Sequence, residues 1–106
     1  MEPIKVIVSH DPEELIVWGQ ENEGKIHAAA LDGVHEMIKN KDIEELVLFE
    51  FYKNKLDVLP FAEILLHQSE MLESLNVALK WFVENEYYEE AARVKNYLDL
   101  LEYKSI

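Results

Sequence analysis

The chain has 106 residues, 49% apolar and 10% aromatic, and 22 acidic against 10 basic side chains give a formal charge of −12. That length makes one domain, 1–106, burying roughly two-thirds of the surface its unfolded chain would expose, and the apolar content is too high for a disordered tail. The absence of cysteine removes disulfide and thiolate chemistry and fits a reducing compartment, while the acid excess repels phosphate backbones and argues against direct nucleic-acid binding.

The first apolar run, Ile4 to Val8, is β-branched and predicts a strand. It is too short for a secretory signal, and no stretch approaches the ~20 apolar residues of a membrane span, so a soluble cytoplasmic protein with no membrane contact is expected. SHDPEEL then reads as a helix start: Asp11 caps, Pro12 suits the first helical position, and Glu13 and Glu14 meet the positive end of the helix dipole. GQENEG, with Gly19 and Gly24, predicts an early end to this helix. A second helix is expected from about Lys25 to Asn40, with Ile26, Ala30, Val34 and Met37 or Ile38 on one face and Gly33 weakening it.

ELVLFEFY, 45–52, satisfies both periods, but its aromatic and β-branched content favours a strand with Val47, Phe49 and Phe51 on one face. KNK offers a turn, after which Leu56 to Leu59 is the expected return arm of a hairpin. From Phe61 onward the apolar residues Leu65, Leu72, Leu75, Leu79 and Phe82 recur at spacings of four and three, interrupted by Gln68. Ile64, Met71 and Ala78 form a second row that widens this seam. It predicts a helix of about six turns. After a break near Asn85, the seam Tyr87, Ala91, Val94, Leu98 and Leu101 predicts another helix, with Glu86, Glu89 and Glu90 early and Arg93, Lys95 and Lys104 later. The two together make a helical hairpin over about 61–104.

Chemical motifs are few. Three glycines in no phosphate-loop pattern leave no common nucleotide cradle. Ser9, His10 and Asp11 are the residue types of a hydrolase triad, yet sequence neighbours cannot easily make the two required hydrogen bonds, and Asp11 is better used as a cap. Glu63, His67 and Glu70 share one face of the expected helix at metal-ligand spacing, but they also read as its polar stripe, so no metal and no cofactor is expected. His27 and His35, eight apart, have no supporting ligand nearby in sequence. Trp81, Phe82, Tyr87 and Tyr88 sit among acids rather than bases, which denies a nucleic-acid stacking platform its electrostatic funnel.

From Leu72 to Leu101, ALKWFVENEYYEEAARVKNYL and its flanks resemble the UVR motif, a helical hairpin of bacterial excision-repair subunits and of protein arginine kinase activators. Glu86 stands in the acidic turn, Tyr88 at the aromatic position, Glu89 after it, then the Ala91-Ala92 pair, and Leu98 at the final aliphatic position. Lys95 replaces the family's arginine and Asn96 its aspartate, so a contact relying on that pair is not carried over. The resemblance implies association with another helical hairpin, because paired alanines let two helices approach closely. Ala91 then serves the internal seam. Ala92, about 100° further round the helix, shares an outer face with Tyr88 and Lys95.

The expected fold is α+β, mainly helical, with a small strand or hairpin element packed on a long C-terminal helical hairpin. The expected function is that of a non-enzymatic protein–protein interaction module or adaptor, binding a protein partner or a second copy through Tyr88, Ala92 and Lys95. The alternative is an acidic nucleic-acid mimic or inhibitor that blocks a basic protein site.

Overall fold

The computed structural model describes residues 1–9 and 11–104. Its first helix, α1 (Pro12–Glu21), begins where the sequence places it: Asp11 accepts the Glu13 N–H at 3.0 Å, and Pro12 occupies the first turn. Glu14 reaches back to accept the Ser9 N–H at 3.0 Å, tying the helix to the end of strand β1 (Ile4–Ile7). His10, the middle member of the triad-like run, lies outside the described residues.

The break after α1 is a single residue, Asn22, and α2 (Glu23–Lys39) follows at once. Gly19 therefore sits inside α1 and Gly24 in the first turn of α2. The inner face of α2 is Ala29, Ala30, Leu31, Val34 and Met37, all buried, with Ile26 and Ile38 partly so. Gly33 is on this face because α2 crosses the sheet closely there: a Cβ would stand 2.8 Å from Leu66 Cδ2 and 3.1 Å from Leu48 Cδ2.

The sheet has three strands in the order β1–β2–β3, with β2 at Glu45–Tyr52 and β3 at Ala62–His67. Strand β1 is parallel to β2 and β3 is antiparallel to it. Two expectations are corrected here. Leu56 to Leu59 is not a return arm but an exposed loop, and the return arm is Ala62–His67. The long helix consequently does not begin at Phe61: a 3-10 turn at Gln68–Glu70 leads into α3, Met71–Glu84. Phe61, Leu65 and Gln68 matched a helical period, but Ala62, Ile64 and Leu66 also alternate. Pairing along β2 decided between the two periods, because a strand there satisfies one whole edge of β2. The loop bonds Phe61 N–H to Phe51 O at 2.9 Å and Gln68 N–H to Glu44 O at 2.8 Å extend that pairing at both ends.

A register shift between Val47 and Phe49 makes Leu48 an extra residue on β2. Leu48, Phe49 and Phe51 are all buried, while Val47 is only partly so, which corrects the simple alternating face Val47–Phe49–Phe51. Trp18 of α1 meets both rings edge-on, at 5.2 Å from Phe49 and 5.0 Å from Phe51. This is the geometry that aromatic quadrupoles favour.

Helix α3 packs on α4 (Tyr88–Lys104) as the expected hairpin. Its buried residues are Leu75, Ala78 and Phe82, with Met71 partly buried, while Leu72 is 52% exposed. The inner stripe thus combines Leu75 and Phe82 of the first expected row with Met71 and Ala78 of the second; Leu79 is partly buried and Leu72 faces out. In α4 the stripe is Ala91, Val94 and Tyr97, supported by Leu98 and Leu101. The side chain of Lys104, counted among the late bases of this helix, lies outside the described residues. No described helix is long and apolar enough to cross a membrane.

Candidate interaction surface

The turn between α3 and α4 fixes everything around it. Glu86 has φ 64°, and among the described residues it alone combines a side chain with the left-handed region. Its N–H bonds Val83 O at 3.2 Å and the Tyr87 N–H bonds Phe82 O at 2.8 Å, the paired bonds of a Schellman ending. The rings of Tyr87 and Phe82 stand 6.2 Å apart, completing the apolar contact that accompanies such a turn. Tyr87 is therefore not the first residue of the inner stripe. It is 49% exposed and lies over the end of α3.

From this turn α4 runs with two distinct faces. Ala91 is 4% exposed and Val94 0%, whereas Ala92 and Lys95 are exposed and Tyr88 is 64% exposed. The periodicity of 3.6 residues puts Tyr88, Ala92 and Lys95 on one line at i, i+4 and i+7. The structure thus brings the three sequence-derived residues onto one open face, away from the packed alanine.

Arg93 does something the sequence reading did not foresee. Its Nε donates to the Tyr97 hydroxyl at 2.9 Å, and its Nη2 donates to Asp32 Oδ1 of α2 at 3.1 Å. The same hydroxyl meets His35 Nδ1 at 3.1 Å. Partial burial disfavours the Arg93 charge, but the bonds to Tyr97 and Asp32 outweigh that and hold its pKa above the ordinary arginine value. The Arg93–Asp32 pair is too exposed to contribute more than ~1 kcal/mol, so its effect is one of registry, clamping α4 to α2. Arg93 and Tyr97, four apart on one helix, were the visible half of this clamp. Asp32 and His35 are some sixty residues away, and nothing local announces them.

A second feature lies at the same end of the hairpin. The end of α1, the start of α2, the end of α3 and the start of α4 enclose an open cleft of about 640 Å³. Trp81 and Tyr87 form one wall, stacked with ring centroids 5.5 Å apart and planes at 18°. Trp81 Nε1–H donates to Glu23 Oε2 at 2.6 Å, joining α3 to the first turn of α2. Gly24 permits this approach, since a Cβ there would stand 2.9 Å from Trp81 Cη2. His27 also faces the indole, at 5.4 Å, and burial lowers its pKa below the ordinary histidine value, with Glu23 pulling weakly the other way.

Glu63, His67 and Glu70 do not assemble. Glu63 and His67 lie on β3 and Glu70 in the following 3-10 turn, and His67 Nδ1 pairs instead with Glu45 at 3.3 Å. Among the described residues no three His, Asp or Glu side chains are grouped so that they could hold a metal ion. Comparison with family models, curated proteins and solved structures gave no match.

Proposed function

We propose that this chain is a non-enzymatic protein-interaction module and that its docking face is the outer side of α4, formed by Tyr88, Ala92 and Lys95. The observation that carries this reading is the division between two adjacent alanines. Ala91 is 4% exposed in the packed stripe, while Ala92 lies open beside a tyrosine that is 64% exposed. A small residue flanked by an aromatic and a long base gives a partner helix both close approach and an anchor. The likeness of 72–101 to UVR hairpins supports the same reading, since that likeness implies pairing with another helical hairpin. We read the partner as a protein or a second copy, in a soluble compartment, with no direct role for nucleic acid.

A second reading, the acidic mimic or inhibitor, draws support from the placement of charge. No charged side chain among the described residues is buried, so the field of the acid excess acts outward. Affinity capture of the purified tagged chain across a salt series separates the two readings. A docking face built on Tyr88 and Ala92 keeps its partner from low salt to about 0.5 M, because close packing is little screened. A partner lost steeply over that range would move the assignment to the mimic.

A further inference from the structure

The cleft beside the docking face has a chemistry of its own. Its lining brings three carboxylates, Glu21, Glu23 and Glu90, to face one ammonium, Lys25. Among the described residues neither Glu21 nor Glu90 forms an ion pair. The carboxyl ends of α1 and α3 and the amino ends of α2 and α4 all open onto the cleft, so the helix dipoles oppose one another and the carboxylates set the sign of the charge there.

The aromatic wall complements that charge. Trp81 is held by its bond to Glu23 and by the tight approach of Gly24, so the wall is set before anything binds. Tyr87 stacks on Trp81, is half-exposed and lines the cleft beside it. A π-face next to unpaired carboxylates attracts a cation with an apolar stem more than it attracts a neutral or anionic group. The volume, about 640 Å³, is ample for one long side chain.

We propose that this cleft receives a basic side chain, lysine or arginine, presented by a protein partner. The inference rests on the module reading only for the source of the side chain; the preference for a cation comes from the cleft itself. Tyr87 and Tyr88 are consecutive, so a partner lying along Tyr88, Ala92 and Lys95 is placed to insert such a residue over the turn.

The test needs no partner. Capped tripeptides carrying one lysine or one arginine are titrated into the labelled protein and followed by NMR at the Trp81 indole N–H and the Tyr87 ring, with acetyl-lysine and citrulline tripeptides as neutral counterparts. The expected result is a saturable shift with the cationic peptides, weakened about two- to fivefold by Tyr87→Ala or by Glu90→Gln and absent with the neutral ones. Glu90→Gln serves as the fold-safe variant, because Tyr87 also closes the turn. No saturable shift with the cationic peptides in the millimolar range, or equal binding of the neutral ones, would overturn the proposal. So would unchanged binding in folded Glu90→Gln, or loss of binding in Ala92→Arg, which lies outside the cleft. Failure here leaves the outer face of α4 untouched, since that face is judged by association alone.

Discussion

Glu86→Gly is the perturbation whose effect follows most directly from one angle. A side chain at φ 64° costs about 1–2 kcal/mol relative to a right-handed conformation, and glycine avoids that cost. Glycine in turn loses more freedom on folding, by roughly 0.5–1 kcal/mol. The difference leaves a net stabilisation of about 0.5–1 kcal/mol, provided the bonds Glu86 N–H to Val83 O and Tyr87 N–H to Phe82 O survive, as they should with an unchanged backbone. For a domain near 100 residues this raises the melting temperature by about 2–6 °C. The carboxylate itself lies between the negative end of α3 and the positive end of α4, so its two dipole interactions oppose each other and the charge should matter little. Glu86→Gln therefore serves as the control and should melt close to the natural chain. The assay is thermal unfolding followed by circular dichroism at one pH and salt concentration. A Glu86→Gly chain that melts at or below the natural one, or a Glu86→Gln chain that gains as much, would refute the strain argument.

Further outcomes follow from the same structure. Tyr97→Phe removes the hydroxyl shared by Arg93 and His35 and should cost about 0.5–1.5 kcal/mol in chemical denaturation, whereas no measurable loss would mean that the clamp between α4 and α2 is ornamental. Burial holds the His27 pKa below the ordinary value of 6.5, so the unfolded chain takes up this proton first as pH falls. The stabilisation from neutral His27 is complete above pH 6.5 and is lost below it; His27→Leu should flatten that part of the stability–pH curve, and parallel curves for the two chains would contradict the assignment. Raising salt from a few millimolar to about 0.15 M should raise the melting temperature, because screening relieves the self-repulsion of a −12 chain, and a fall would count against a dispersed acid field.

The elements legible in the sequence were those whose signals are local. Asp11 and Pro12 announce α1 through a cap and a ring that belong nowhere else, and the paired stripes of α3 and α4 repeat long enough to define a hairpin. The separation of Ala91 from Ala92 follows from helical periodicity alone, which is why the sequence could place Tyr88, Ala92 and Lys95 on one face. Residues 61–68 carry two periods at once, a helical one in Phe61, Leu65 and Gln68 and an alternating one in Ala62, Ile64 and Leu66. What decided them was the open edge of β2, a partner that local spacing does not reveal. The bulge at Leu48 escaped for the same reason, since it exists only as a mismatch between two strands. Gly33, which looked like a weakness in α2, is the point of closest approach to Leu48 and Leu66. The cleft and the Arg93 clamp were the least legible, because each joins residues about sixty positions apart.

The most direct test of the docking face compares arginine at the two neighbouring alanines. Ala91→Arg forces a charge into a site that is 4% exposed and should destabilise by roughly 3 kcal/mol or more through overpacking and charge burial. Ala92→Arg should leave thermal unfolding within about 0.5 kcal/mol of the natural chain, as for an ordinary surface change. In sedimentation and affinity capture, the same Ala92→Arg chain should lose its association, because a face that depends on close helix approach has no room for the added bulk. A folded Ala92→Arg chain that associates as well as the natural one would contradict the account.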